Sequence, residues 1–141
     1  MNKLPATDTR HENITLLTVN SNSEDRLSLE RILDSNGWTI QGAESIREAT
    51  RLLEGSPSLI LCEKDLPDGN WKDIFREAQR LDNSAPFVVV SRNADQRLWA
   101  EVLNLGGFDV LLKPFVWSEV KRVMSMACRH AVPAKAACAA V

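Results

Sequence analysis

LILCEKDLPDGNWKDIFREAQRLDNSAPFVVVSR, residues 59 to 92, holds the pattern that decides the fold. It opens with Leu59, Ile60, Leu61 and Cys62, an apolar run closed by Glu63. It ends with a second run, Phe87 to Val90, closed by Ser91 and Arg92. Strands that read as continuously apolar are strands covered on both faces. Between the two runs, Ile74, Phe75, Ala78 and Leu81 recur at helical spacing, and Asn83 and Pro86 stop the helix. Strand, helix and strand in this order form a βαβ unit, whose crossover is right-handed.

The same alternation continues on both sides. Three further strands are expected at Ile14 to Asn20, Trp38 to Ala43 and Phe108 to Lys113. Helical stripes follow at Leu27, Leu29, Ile32 and Leu33, and at Ile46, Ala49, Leu52 and Leu53. Two more lie at Leu98, Val102 and Leu105, and at Val120, Val123, Met124 and Ala127. Stops fall at Gly37, at Gly55 with Pro57, and at Gly106-Gly107. Five strand–helix units predict an α/β fold. It is a flavodoxin-like, doubly wound parallel sheet of five strands in the order 2-1-3-4-5, with five helices in a three-layer αβα arrangement.

A chain of 141 residues fits one domain of ordinary size. Its expected organisation is a flexible arm over residues 1–12, a folded domain over 13–130 and an Ala-rich tail over 131–141. With 17 Lys and Arg against 19 Asp and Glu, the net charge of −2 argues against binding a nucleic-acid backbone. Lys121, Arg122 and Arg129 read as a solvated face rather than a nucleic-acid platform. No apolar run approaches the roughly 20 residues of a membrane span, and the N-terminus has no stretch resembling a signal peptide. Three cysteines without a CxxC pair offer neither a disulfide framework nor a zinc ribbon, so a cytoplasmic location is expected. His11 and His130 lie in the tails without nearby ligand partners, which leaves histidine catalysis without support.

In a doubly wound sheet, chemistry sits at the carboxyl ends of the strands. Four loops meet that rim: Asn20 to Arg26, Glu63 to Gly69, Ser91-Arg92 and Lys113-Pro114-Phe115. Neither GxGxxG nor GxxxxGK[ST] occurs, so no dinucleotide or P-loop phosphate site is supported.

The chain resembles the receiver domain of bacterial response regulators, of the chemotaxis-regulator kind, over about residues 13 to 128. LILCEKDLPDG is similar to the phosphoacceptor segment, with its proline four residues on. LLKPF resembles the Lys-Pro-Phe that follows the last strand, and VVVSR the strand that ends in Thr or Ser. The Gly106-Gly107 turn, SNGWTIQGA and the helix from Arg26 to Leu33 also match. The resemblance implies a place in two-component signalling or a phosphorelay, with Ser91 and Lys113 at the hydroxyl and lysine positions. It also marks the departures of an atypical receiver. Asn20 and Ser21 stand where the family has two acidic residues, Glu63 where it has the phosphorylated aspartate, and Val110 where it has an aromatic switch residue.

These departures have physical consequences. Mg²⁺ demands near-octahedral oxygen ligation and relies on carboxylates. With only Glu63 left beside the Lys113 ammonium, tight Mg²⁺ binding is not expected, and no cofactor or metal is assigned. The Glu63 carboxylate stands one methylene, about 1.5 Å, farther out than an aspartate's, and in-line phosphoryl transfer depends on positioning. The expectation is therefore a fixed Glu63–Lys113 ion pair, with Ser91 a second group within Glu63's reach.

Ordinary explanations cover several neighbours. Ser21-Asn22-Ser23-Glu24 reads as a capping box, and Asn20 as a turn residue. Glu24 and Asp25 read as acids of a first helical turn, and Asp65 as support for a turn. Cys62 reads as a small buried hydrophobe. Trp38 is expected to pack and Trp71 to be exposed at the start of its helix. In the family, the face formed by the fourth helix, fifth strand and fifth helix is the common dimer and partner surface. Trp99 and Trp117 are its candidate anchors here, against the plainer reading that they cover the sheet edge.

The resulting expectation is a non-enzymatic pseudo-receiver that works by phosphorylation-independent protein–protein interaction. Its partner would be a histidine kinase, another regulator or a second copy of itself. The competing readings are a working phosphoacceptor in a phosphorelay and a module that senses a small anion or nucleotide.

Overall fold

The computed structural model describes residues 14–33, 38–93 and 95–131. The expected arm, the Gly37 stop, His11 and residues 132–141 of the tail lie outside the described residues. Among the described residues, seven strands and five helices follow one another. They are β1 (Thr15–Val19), α1 (Ser23–Leu33), β2 (Thr39–Ala43), α2 (Ile46–Leu53), β3 (Leu59–Glu63), β4 (Asp65–Leu66) and β5 (Gly69–Asn70). Then come α3 (Trp71–Arg80), β6 (Phe87–Ser91), α4 (Gln96–Leu105), β7 (Asp109–Leu112) and α5 (Trp117–Ala131). Five strands form one parallel sheet in the order β2-β1-β3-β6-β7. This is the expected doubly wound arrangement. The shift in numbering comes from β4 and β5, a two-residue antiparallel hairpin that sequence periodicity did not reveal.

The sheet separates two cores because successive strand residues point to opposite faces. Leu16, Leu59, Leu61, Val88, Val90 and Leu111 pack with Leu29 and Leu33 of α1 and with Val120, Val123, Met124 and Ala127 of α5. Leu17, Val19, Ile60, Cys62, Val89 and Val110 pack on the other face, against residues of α2, α3 and α4. The parallel registers Leu17↔Ile60 and Ile60↔Phe87 hold the central strands so that their carboxyl ends share one rim.

Local chemistry sets the helix ends. Asn70 and Asp73 form a capping box at the start of α3, and the Asp95 side chain accepts from the Leu98 amide at the start of α4. Gly106 ends α4 at φ 109°, a left-handed conformation that favours glycine. A Cβ on Gly107 would come within 2.5 Å of Val102 Cγ1, so this turn also needs a residue without a side chain.

Two expectations need correction. Trp71 is 1% exposed. It lies 6.1 Å, centroid to centroid, from both Phe75 and Phe87, because the β4–β5 hairpin turns the start of α3 inward. The cap of α1 is Asn22 and not Ser21: Asn22 Oδ1 accepts from the amides of Glu24 at 2.8 Å and Asp25 at 3.1 Å. Cys62 is a free, buried thiol, as expected from its place in a central strand.

Candidate functional site

The loops after β1, β3 and β7 bring Asn20, Ser21, Asp25, Glu63 and Lys113 together at the carboxyl rim. Asn20 is 2% exposed. Its amide donates to the Ala43 carbonyl, and its Oδ1 accepts from the Asn22 amide at 2.8 Å. It thus acts as the expected turn residue, and its Nδ2 has no hydrogen-bond partner among the described residues. The turn aims Ser21 at β3. The Ser21 amide and hydroxyl donate to Glu63 Oε1 at 3.2 and 3.1 Å, which explains why Ser21 does not cap α1.

Lys113, at the end of β7, is nearly buried, with a side-chain exposure of 4%. Its Nζ lies 2.6 Å from Glu63 Oε2, the ion pair expected from the sequence. It also lies 2.7 Å from Asp25 Oδ2, a partner that sequence reasoning passed over. The site is therefore a triad of one ammonium and two carboxylates, with a formal charge of −1 rather than zero. Asp25 reaches Lys113 because Asn22 starts α1 and places its first turn over the rim.

Burial works against the charge of Lys113. The hydrogen bonds to Asp25 and Glu63 and the charges of both carboxylates outweigh it, and they hold the lysine above its ordinary pKa. A raised folded-state value means that the stability contributed by this ammonium is complete below the unperturbed value of about 10.4. That stability is lost as pH rises through the folded-state value. An NMR titration of the Lys113 Cε resonance should show its midpoint above about 10.4. A midpoint below that value would mean that burial dominates.

Ser91 is buried, but its hydroxyl turns to its own loop, accepting from the Asn93 amide at 3.1 Å and donating to the Asn93 carbonyl at 3.3 Å. It shares a cavity of about 230 Å³ with Glu63 and Lys113, without a hydrogen bond to either. Asp65 is exposed and pairs with Lys64 at 3.2 Å. Its neighbour Asp68, missed in the sequence, accepts from the Ile46 and Arg47 amides and so secures the start of α2. The Ile46 amide, ahead of other contributions, holds the Asp68 carboxyl below the usual range. Burial, and then the charge of Glu63, push the Cys62 thiol well up, as suits a small hydrophobe rather than a reactive thiolate.

On the far side of β7 the picture differs. Val110 is 7% exposed and lines a groove of about 710 Å³ together with Trp99 of α4, Leu112 and Val116. Trp99 and Trp117 are 49% and 59% exposed. Lys121 Nζ stands 4.5 Å from the centre of the Trp117 ring.

The model of the response regulator receiver domain family matches residues 16–125. The transcriptional regulatory protein PrrA of Mycobacterium leprae is 31% identical over 132 residues, which cover 90% of this chain and 55% of the relative. The chemotaxis protein CheY of Thermotoga maritima is 28% identical over 102 residues, covering 71% of this chain and 85% of CheY. The chain thus spans about half the length of the PrrA relatives that it matches. Among solved structures, the signal receiver domain of a Vibrio parahaemolyticus protein named as a LuxO repressor superposes with a TM-score of 0.79. It is 19% identical, with 84% of this chain and 92% of that chain covered, a likeness of fold.

Proposed function

The chain belongs to the response regulator receiver domain family, and from that premise we propose that it signals by protein contact without accepting a phosphoryl group. One observation carries the proposal: both oxygens of Glu63 are engaged. Oε1 takes the Ser21 amide and hydroxyl, and Oε2 takes the Lys113 ammonium, which Asp25 shares. A nucleophilic carboxylate needs a free, aligned lone pair, and phosphoryl transfer gains most of its rate from positioning and charge stabilisation. Three hydrogen bonds already take most of the roughly four lone-pair sites of Glu63 and fix the direction in which its carboxylate points.

The donor set does not suit Mg²⁺, which fits the proposal that the domain needs no cofactor. Asn20 Oδ1 is turned to the Asn22 amide, and each carboxylate of the triad already holds the Lys113 ammonium. An octahedral ion would have to displace these bonds for two carboxylates and a neutral amide. In this reading the triad fixes one charge state of the rim and carries out no catalytic step. The working surface is the α4–β7–α5 face, where Trp99 and Trp117 stand exposed. The partner is another protein: a histidine kinase, another regulator or a second copy. Among the described residues no helix is long and apolar enough to cross a membrane, which accords with the cytoplasmic placement proposed here.

Incubation with acetyl phosphate and Mg²⁺ should leave the intact mass and the tryptophan emission unchanged. A stoichiometric phosphoryl adduct would overturn this reading in favour of a working phosphoacceptor.

A further inference from the structure

The groove beside β7 combines an apolar lining with unbalanced negative charge. Trp99, Leu112 and Val116 are each about half exposed or more, which marks a surface made to be covered. Asp95 and Asp109 also line it. Each uses one carboxylate oxygen to hold a backbone amide, Asp95 that of Leu98 at 2.8 Å and Asp109 that of Val110 at 2.7 Å. Neither forms an ion pair among the described residues, and the Arg122 guanidinium, which the charge of Asp109 also reaches, is the one cation of the lining. The remaining acid of the lining, Glu119, is paired with Arg122 at 2.7 Å, so the two aspartates leave a net charge of −2 on the lining.

We infer that this groove receives a basic, apolar peptide segment of a second protein, with arginine or lysine set between large apolar side chains. The inference rests on the protein-contact reading above and names the chemistry of the partner. Charge complementarity selects it: cationic groups meet Asp95 and Asp109, while the apolar side chains cover Trp99, Leu112 and Val116. The volume of about 710 Å³ is that of a pocket for a few side chains rather than a broad flat interface. Recognition runs through side chains. The Lys113 amide donates to the Ser91 carbonyl of the neighbouring strand, so by alternation the Val110 amide faces outward, where Asp109 already closes it against an added strand. An acidic segment or a nucleic-acid phosphate would be repelled by the same two aspartates.

The test uses the full chain and three labelled nine-residue peptides in which Leu and Phe alternate with Arg, Glu or Gln, read by fluorescence anisotropy. The arginine peptide should bind at least tenfold more tightly than either of the others. Asp95→Asn and Asp109→Asn keep the amide-holding oxygens while removing the charges, so melting should not change. Together they should weaken the arginine peptide about tenfold, and Trp99→Ala should weaken it further. Equal affinity for the glutamate or glutamine peptide, an unchanged affinity in the double asparagine variant, or no arginine-peptide binding at millimolar concentration would each overturn the inference. So would sedimentation showing that the chain closes this groove with a second copy through Trp99. A phosphoryl adduct at Glu63 would remove the phosphorylation-independent reading while leaving these affinities in place, so the two failures are distinguishable.

Discussion

Lys113→Met should lower the unfolding free energy by about 3 kcal/mol, because it strands two carboxylates beside a side chain that cannot neutralise them. Glu63 and Asp25 retain side-chain exposures of only 16% and 19%, so water restores part of their solvation but not all of it. The loss belongs at the lower end of the roughly 3–5 kcal/mol seen when one partner of a buried pair is removed. For a domain of this size it corresponds to a fall in Tm of about 10 °C. Neutralising the acids as well should offset much of the loss. Adding Glu63→Gln and Asp25→Asn to Lys113→Met should recover at least half of the loss, since no uncompensated charge then remains. Urea unfolding of the three proteins measures this directly. A loss below about 1 kcal/mol for Lys113→Met would mean that the triad behaves like an exposed surface pair.

Trp71→Ala should cost about 4 kcal/mol, the largest single effect expected outside the rim. The indole is 1% exposed and meets Phe75 and Phe87, which themselves meet edge to face at 5.2 Å. Removing it deletes the largest fully buried side chain and leaves a cavity that the short helix α3 cannot close by moving as a unit. Trp99→Ala and Trp117→Ala, on the exposed face, should each stay within about 0.5–1 kcal/mol of the parent protein. Chemical denaturation of the three variants separates a core tryptophan from surface ones. Similar costs at all three positions would contradict the division between core and partner surface.

The contrast between Trp71 and the rim shows which information is local. Central strands covered on both faces read as apolar runs, so Leu59–Cys62 and Phe87–Val90 were legible from composition alone. The same holds for Gly106-Gly107, where backbone geometry and the approach of Val102 demand glycine. Trp71 was not legible, because its burial depends on a two-residue hairpin, Asp65–Leu66 with Gly69–Asn70, too short to carry a periodicity. At the rim, the pairing of Glu63 with Lys113 followed from their places at the carboxyl ends of β3 and β7, the two strands that flank β6. Asp25 was misread because an acid in a first helical turn already has a sufficient local explanation in the helix dipole. Its contact with Lys113 spans 88 residues and leaves no local trace. The available signal was topological: the helix after β1 starts at the same carboxyl rim of the sheet where β7 ends. Ser21 was assigned to a cap for the same reason, while Asn22, one residue later, fills that role and leaves the serine hydroxyl for Glu63.

In the proposed reading, the triad also accounts for the departures from the receiver pattern as a set. Replacing two carboxylates by Asn20 and Ser21 removes the repulsion that a bound cation would otherwise relieve. Glu63 is long enough to meet both Ser21 and Lys113, and Asp25 adds a second acid where it touches the ammonium rather than an open coordination position. Together they give the Glu63 carboxylate three hydrogen bonds, from the Ser21 amide, the Ser21 hydroxyl and the Lys113 ammonium.

The central claim is that this carboxylate is closed to phosphate. Its most direct test is the intact mass of the protein after acetyl phosphate and Mg²⁺, measured beside a variant carrying Asn20→Asp, Ser21→Asp and Glu63→Asp. The expected result is an unchanged mass for the parent protein and the gain of one phosphoryl group by the variant with its carboxylates restored. A stoichiometric phosphoryl group on the parent protein, gained at a rate comparable to the variant's, would contradict the account.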